Sequence, residues 1–126
     1  MGFIYCHGLG VEKDYDEAFK WFIKSAAQDD SFAQYNLFHM YDHGLGVKAD
    51  KKEALKWLVK SAENGHSDAQ GILGFKYFNG EDVEKDYDKA LKWLTKSAEQ
   101  GNSESELELG MMYYQGEGVE KIYQKL

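Results

Sequence analysis

A chain of 126 residues has room for one domain and not for two of ordinary size. It carries 15 basic against 22 acidic residues, a formal charge of −7, and all its basic residues are lysine. Nucleic acid is a poor match, because its capture rests on neutralising phosphates and arginine's planar fork is missing.

Other classes fall away as quickly. Cys6 is the only cysteine, so neither an internal disulfide nor a cysteine metal cluster can form. A reducing, cytoplasmic setting is expected, and the N-terminus shows no signal-peptide pattern. No stretch approaches the ~18 apolar residues of a membrane span, so no membrane insertion is expected. Proline is absent, which leaves helices uninterrupted.

Internal repetition is the dominant signal. Trp21, Trp57 and Trp93 stand 36 residues apart, as do Tyr5, Tyr41, Tyr77 and Tyr113. Gly8, Gly44, Gly80 and Gly116 keep the interval, as do Val11, Val47, Val83 and Val119 and the Ser-Ala pairs beginning at Ser25, Ser61 and Ser97. Residues 12–28 and 84–100 are identical at 12 of 17 positions. Such a period marks a repeat array. The repeats are placed at 1–32, 33–68, 69–104 and 105–126, the first and last incomplete.

In chain order, Met1 falls at the leucine position of a first helix, so the array opens on a stub carrying Phe3, Cys6 and His7. Gly8-Leu9-Gly10 closes it. Asp14, with Glu17 three residues on, caps a second helix through Ala18 and Trp21. Asp29-Asp30 then stand where later repeats end on glycine, a conformation aspartate tolerates. Ser31 with Gln34 reads as a capping box for the next first helix, repeated as Ser67 with Gln70 and Ser103 with Glu106. Ala33, Leu37 and Tyr41 form its apolar stripe. Gly44-Leu45-Gly46 ends that helix, and Asp82 replaces the second loop glycine one repeat later. Asp50 and Glu53 open a second helix that buries Ala54, Trp57, Leu58 and Ala62 and stops near Asn64-Gly65; Gln100-Gly101 is its copy. Small Ala18, Ala54 and Ala90 permit close helix approach. At Leu126 an eighth helix has barely begun.

These elements predict an all-α fold: a right-handed superhelix, or solenoid, of 36-residue helix-turn-helix repeats. About three and a half repeats are expected, with three complete first helices and three complete second helices. A lone helical pair cannot cover its apolar stripes, so neighbours must. Open ends of such an array predict head-to-tail self-association as a possible contact between chains.

The spaced residues Ala69, Leu73, Gly74, Tyr77, Gly80, Val83, Asp86, Ala90, Trp93 and Ala98 resemble the Sel-one-like repeat family, a branch of the tetratricopeptide-like superfamily. The resemblance covers the whole chain. It implies an adaptor or scaffold that holds a protein or peptide partner on the concave face lined by first helices. One cysteine-rich group of the family binds β-lactams, but its paired cysteines are missing here.

On the face opposite Leu37 and Tyr41, the second repeat carries Phe32, Tyr35, His39, Asp42 and His43. The third supplies Asp68, Phe75, Phe78 and Asn79, the fourth Leu107, Met111, Tyr114 and Gln115, and the stub Phe3, Cys6 and His7. A purely solvated face would be polar. This one is aromatic, and Phe3, His7, Phe32, Tyr35, His39, His43, Phe75, Phe78, Leu107, Met111 and Tyr114 are the expected partner-binding residues. Single members of the set could instead pack between neighbouring first helices. The pairs Lys20/Lys24, Lys56/Lys60 and Lys92/Lys96 read as a solvated outer face.

Catalysis has no constellation. No nucleophile stands near a base, and Gly8-Leu9-Gly10 lacks the spacing and lysine of a phosphate loop. His39 and His43, one turn apart, could chelate a metal with Asp42 or Cys6, but a helix-ending role also explains His43, so no metal or cofactor is expected. Two other functions are weighed against the scaffold: a metal- or small-molecule-binding enzyme of the β-lactam or cell-wall hydrolase type, and a purely structural spacer.

Overall fold

Asp14, Asp50 and Asp86 each turn a carboxylate back onto backbone N–H groups, and a helix starts behind each one. In this computed structural model, which describes residues 14–116, six helices follow one another. They are α1 (Tyr15–Ala26), α2 (Ser31–His43), α3 (Lys51–Glu63), α4 (Ser67–Asn79), α5 (Tyr87–Glu99) and α6 (Ser103–Gln115). Three are first helices and three are second helices, and no strand occurs among the described residues. Phe3, Cys6 and His7 lie outside the described residues, as does the expected start of an eighth helix. The chain divides into two compact units, one ending at His66 and the other beginning at Ser67.

In the first unit, α1 buries Ala18, Phe22 and Ala26, an i, i+4 stripe, against Ala33, Leu37 and Met40 of α2. Tyr15, Phe19, Ile23, Leu45, Val47 and Trp57 pack around them. Each large side chain so buried contributes ~1.5–3 kcal/mol. On α3, Ala54, Leu58 and Ala62 are buried. Phe19 also meets Tyr41 edge-on, with centroids 5.6 Å apart. Burial, with lesser contributions from Glu53 and Asp50, raises the Tyr41 phenol above its usual pKa.

The recurrent tryptophans are shielded by the lysine one turn after them and, at Trp57 and Trp93, also by the lysine just before. Lys56 and Lys60 stand 5.2 and 5.1 Å from the Trp57 ring centre, and Lys92 and Lys96 stand 4.9 and 5.5 Å from that of Trp93. Lys24 lies over Trp21 at 5.2 Å. The outer lysines are therefore exposed but not idle, each contributing ~0.5–1 kcal/mol of cation–π attraction.

The expected capping boxes do not form. Ser31 and Ser103 lie inside their helices, whose caps are Asp30 and Asn102: Asp30 accepts from Phe32 N and Ala33 N, and Asn102 from Ser105 N. Ser67 likewise is the first residue within α4. At α2 and α6 the aspartate or asparagine one residue earlier takes the cap, and Gln34 and Gln70 have other work. Gln34 donates to Ala26 O at 3.1 Å and accepts from Asn64 at 2.9 Å, while Gln70 accepts from Gln100 at 2.8 Å. The Ser-Ala pairs supply the remaining ties: buried Ser61 and Ser97 donate to the carbonyls of Ser31 and Ser67, both at 2.7 Å.

Asp30 shows how a departure from the repeat is accommodated. The bond from the Ser25 hydroxyl, 2.7 Å long, is the main influence holding its carboxyl below the usual value. Partial burial opposes this, and the Ala33 and Phe32 N–H groups and the charge on His66 reinforce it. A carboxyl pKa lower folded than unfolded stabilises the fold at neutral pH, and that contribution is lost as pH falls through the folded value. Asp30→Asn keeps a good cap but no charge. Acid titration of folding should therefore show wild type more stable near neutrality, with the gap closing below the ordinary carboxylate pKa. A gap independent of pH would refute this.

The second unit packs Leu91, Leu94 and Met112 together, with Phe78 and Leu109 against them. Its unexpected member is Lys76, buried at the repeat position that holds buried Met40 and Met112 elsewhere. Its ammonium lies 2.8 Å from Asp82 and 3.4 Å from Glu81. Asp82 sits at φ 62, the left-handed region that Gly46 occupies at φ 70 in the preceding repeat. Where Met40 and Leu45 belong to one apolar cluster in the first unit, the same register in the second holds the ionic contacts of Lys76 with Glu81 and Asp82.

Candidate functional site

Along α2, residues 32, 35, 39 and 43 fall on one side, and the structure turns them into a ladder of rings. Tyr35 stacks on His66 with centroids 4.4 Å apart and planes inclined at 20°, and Phe32 meets the same imidazole at 6.1 Å. Tyr35 meets His39 edge-on at 4.6 Å, buried Phe38 backs His39 at 4.8 Å, and His39 stacks on His43 at 6.0 Å. All belong to the first unit. Phe32 remains 46% exposed, so the ladder presents apolar surface rather than sealing it.

His66 was not among the expected residues. A signal existed: it stands in the repeat register of Asp30 and Asn102, the caps of α2 and α6, and an imidazole there has no capping reason. In the second unit the same register is polar. Asn102 donates to Asp68 at 2.8 Å, where the first unit sets His66 against Phe32.

The remaining expected residues divide. Phe75 on α4 is exposed, as are Leu107, Met111 and Tyr114 on α6, Tyr114 at 92%. Phe78 instead packs on the Leu91, Leu94 and Met112 core and meets Tyr87 at 5.4 Å. Phe3 and His7 lie outside the described residues.

Candidate chemistry is sparse. Asp42 is held by Lys51 at 2.6 Å and stands 3.8 Å from the His43 Nε2. Among the described residues, no three His, Cys, Asp or Glu side chains converge as a metal site would require. An open cleft of about 460 Å³ in the second unit is lined by Tyr77, Val83, Glu84, Lys85, Asp86 and Lys89. There Asp86 caps α5, Lys89 covers Tyr77 and Lys85 covers Tyr87, roles the fold itself supplies.

Comparison with known proteins gives the family. The Sel1 repeat matches four times, at residues 1–30, 31–66, 67–102 and 103–125. The chain belongs to the Sel1 repeat family. Over 95% of its length it is similar, at 42% identity and a TM-score of 0.89, to a Sel1 repeat protein from Oxalobacter formigenes. Over 94% it is similar, at 45% identity and a TM-score of 0.86, to c5321, a protective antigen of uropathogenic Escherichia coli strains with an SLR fold. It covers 49% of the first of those chains and 26% of the second, about half of one and a quarter of the other. No curated protein matches the chain. The all-α helical-repeat solenoid expected from the sequence is the fold of this family. Sel1 repeats form a non-catalytic scaffold fold that generally mediates protein–protein interaction. No described helix is long and apolar enough to cross a membrane.

Proposed function

We propose that this chain is a protein-binding scaffold that engages a peptide or partner domain through the exposed faces of its first helices. The observation that carries this is the ring ladder of Phe32, Tyr35, His39, His43 and His66, which leaves Phe32 half exposed on α2. In the second unit, Phe75 on α4 and Leu107, Met111 and Tyr114 on α6 are exposed large apolar side chains of the same character. Aromatic and methionine side chains are enriched at protein interfaces, and a few well-placed aromatics dominate binding energy. An arginine-free chain of net charge −7 speaks for a protein partner over nucleic acid. The ionisable groups of the open cleft serve caps and aromatic shielding, which favours a binding role over catalysis.

Phe32→Ser and Phe75→Ser remove two exposed rings at positions that make little core contact. Partners identified by affinity capture and mass spectrometry should be recovered about tenfold less well by the double variant. Far-UV circular dichroism should be unchanged. Equal recovery by the folded variant would reject this face.

A further inference from the structure

Met40, Met111 and Met112 sit in very different surroundings. Met40 and Met112 are each 1% exposed, Met40 within the core of the first unit and Met112 against Leu91 and Leu94. Met111, the neighbour of Met112 in sequence, is 44% exposed. It stands between Leu107 and Tyr114, 67% and 92% exposed. Their spacing of i, i+4 and i+7 puts the three side chains in one apolar stripe along α6. The repeat position of Met111 holds Phe3, His39 and Phe75 in the other copies, so the fourth copy alone sets a thioether there.

We propose that Met111 is a reversible oxidation site, at which a peroxide turns the α6 part of the binding face from apolar to polar and weakens partner binding. The switch rests on the protein-binding reading above; the site itself rests on exposure. The Met111 sulfur gives an electron pair to one oxygen of hydrogen peroxide, the O–O bond breaks, an S–O bond forms and one water leaves. A dithiol reductant of the methionine sulfoxide reductase class returns two electrons, the oxygen departs as water, and a disulfide remains on the reductant. Peroxide reaches the sulfurs of Met40 and Met112 only when their packing opens, whereas that of Met111 is accessible in the folded state. Because Met111 is outside the buried set, its oxidation leaves the fold standing. A sulfoxide is polar and accepts hydrogen bonds, so a contact that dries this stripe must strip it of water without replacing what it loses.

The test treats the whole folded chain with hydrogen peroxide and follows its tryptic peptides by mass spectrometry. Peptide 25–48 reports Met40, and fragmentation of peptide 97–121 separates Met111 from Met112. Met111 should be oxidised at least about tenfold faster than either buried methionine, and in concentrated urea the three rates should converge. The second arm uses the proteins that untreated wild type recovers by affinity capture. Peroxide should lower their recovery by about tenfold for wild type, and Met111→Gln should lower it without peroxide. Met111→Leu should keep its recovery after peroxide, which separates Met111 from the thiol of Cys6 and from Met1. Oxidation of Met112 or Met40 as fast as Met111 would overturn the site. An equal loss in wild type and Met111→Leu would overturn the switch. So would unchanged recovery by the oxidised wild type where Phe32→Ser with Phe75→Ser has lowered it, a result that leaves the protein-binding reading intact. If that double variant recovers partners as well as wild type, the reading of the face fails instead, and the oxidation rates still decide the site.

Discussion

Asp82→Gly is expected to destabilise the wild-type protein by about 1–3 kcal/mol, yet to stabilise it once Lys76 has become methionine. Lys76 has a side chain only 7% exposed, and Asp82 is its nearer partner at 2.8 Å. Removing one partner of a buried pair costs ~3–5 kcal/mol when nothing remains to compensate. Here Glu81, 60% exposed and 3.4 Å away, still faces the ammonium, so the cost is smaller. The replacement also has a favourable side. Asp82 is held at φ 62, where a side chain costs ~1–2 kcal/mol that glycine does not incur. With Met at position 76, as buried Met40 and Met112 have it in the other repeats, no ammonium needs a partner and only that relief is left. Denaturant unfolding of the four proteins in this cycle reads the sign directly. If Asp82→Gly has the same effect in both backgrounds, the ion pair is not what holds the loop.

The period of 36 made the helices, their order and most of the buried stripe legible, because each copy repeats the same demand for burial. What escaped lies where copies differ. Lys76 could have been found by setting it beside Met40 and Met112, but lysine is so seldom buried that the substitution reads as surface variation. His66 precedes a helix, outside the 3.6-residue periodicity by which faces are assigned, and only the three-dimensional return of the chain brings it to Tyr35. Phe78 sits beside exposed positions on a helical wheel, yet it reaches Tyr87 and the core of the second unit. At α2 the capping box failed for a chemical reason. The serine-to-glutamine spacing was present, but Asp30 offered the N–H groups a carboxylate, and Gln34 was already spent on Ala26 and Asn64.

Gly46→Ala should cost about 2–4 kcal/mol, and Gly65→Ala only ~1–2 kcal/mol, although both glycines have positive φ. At Gly65, φ 94, an added Cβ meets nothing within 4 Å, so only backbone strain is incurred. At Gly46, φ 70, the same carbon would run into the carbonyl of Tyr15, the first residue of α1 in the preceding repeat. Backbone of that kind cannot yield as a side-chain tip does, so overpacking adds to strain. Position 82 makes the distinction plain, since aspartate occupies it with φ 62: the left-handed turn alone does not demand glycine. The close approach of one repeat's loop to the start of the previous second helix does. Thermal or denaturant unfolding of both variants separates the two contributions. Equal losses would mean that the Tyr15 contact relaxes and that glycine is kept at 46 for its backbone alone.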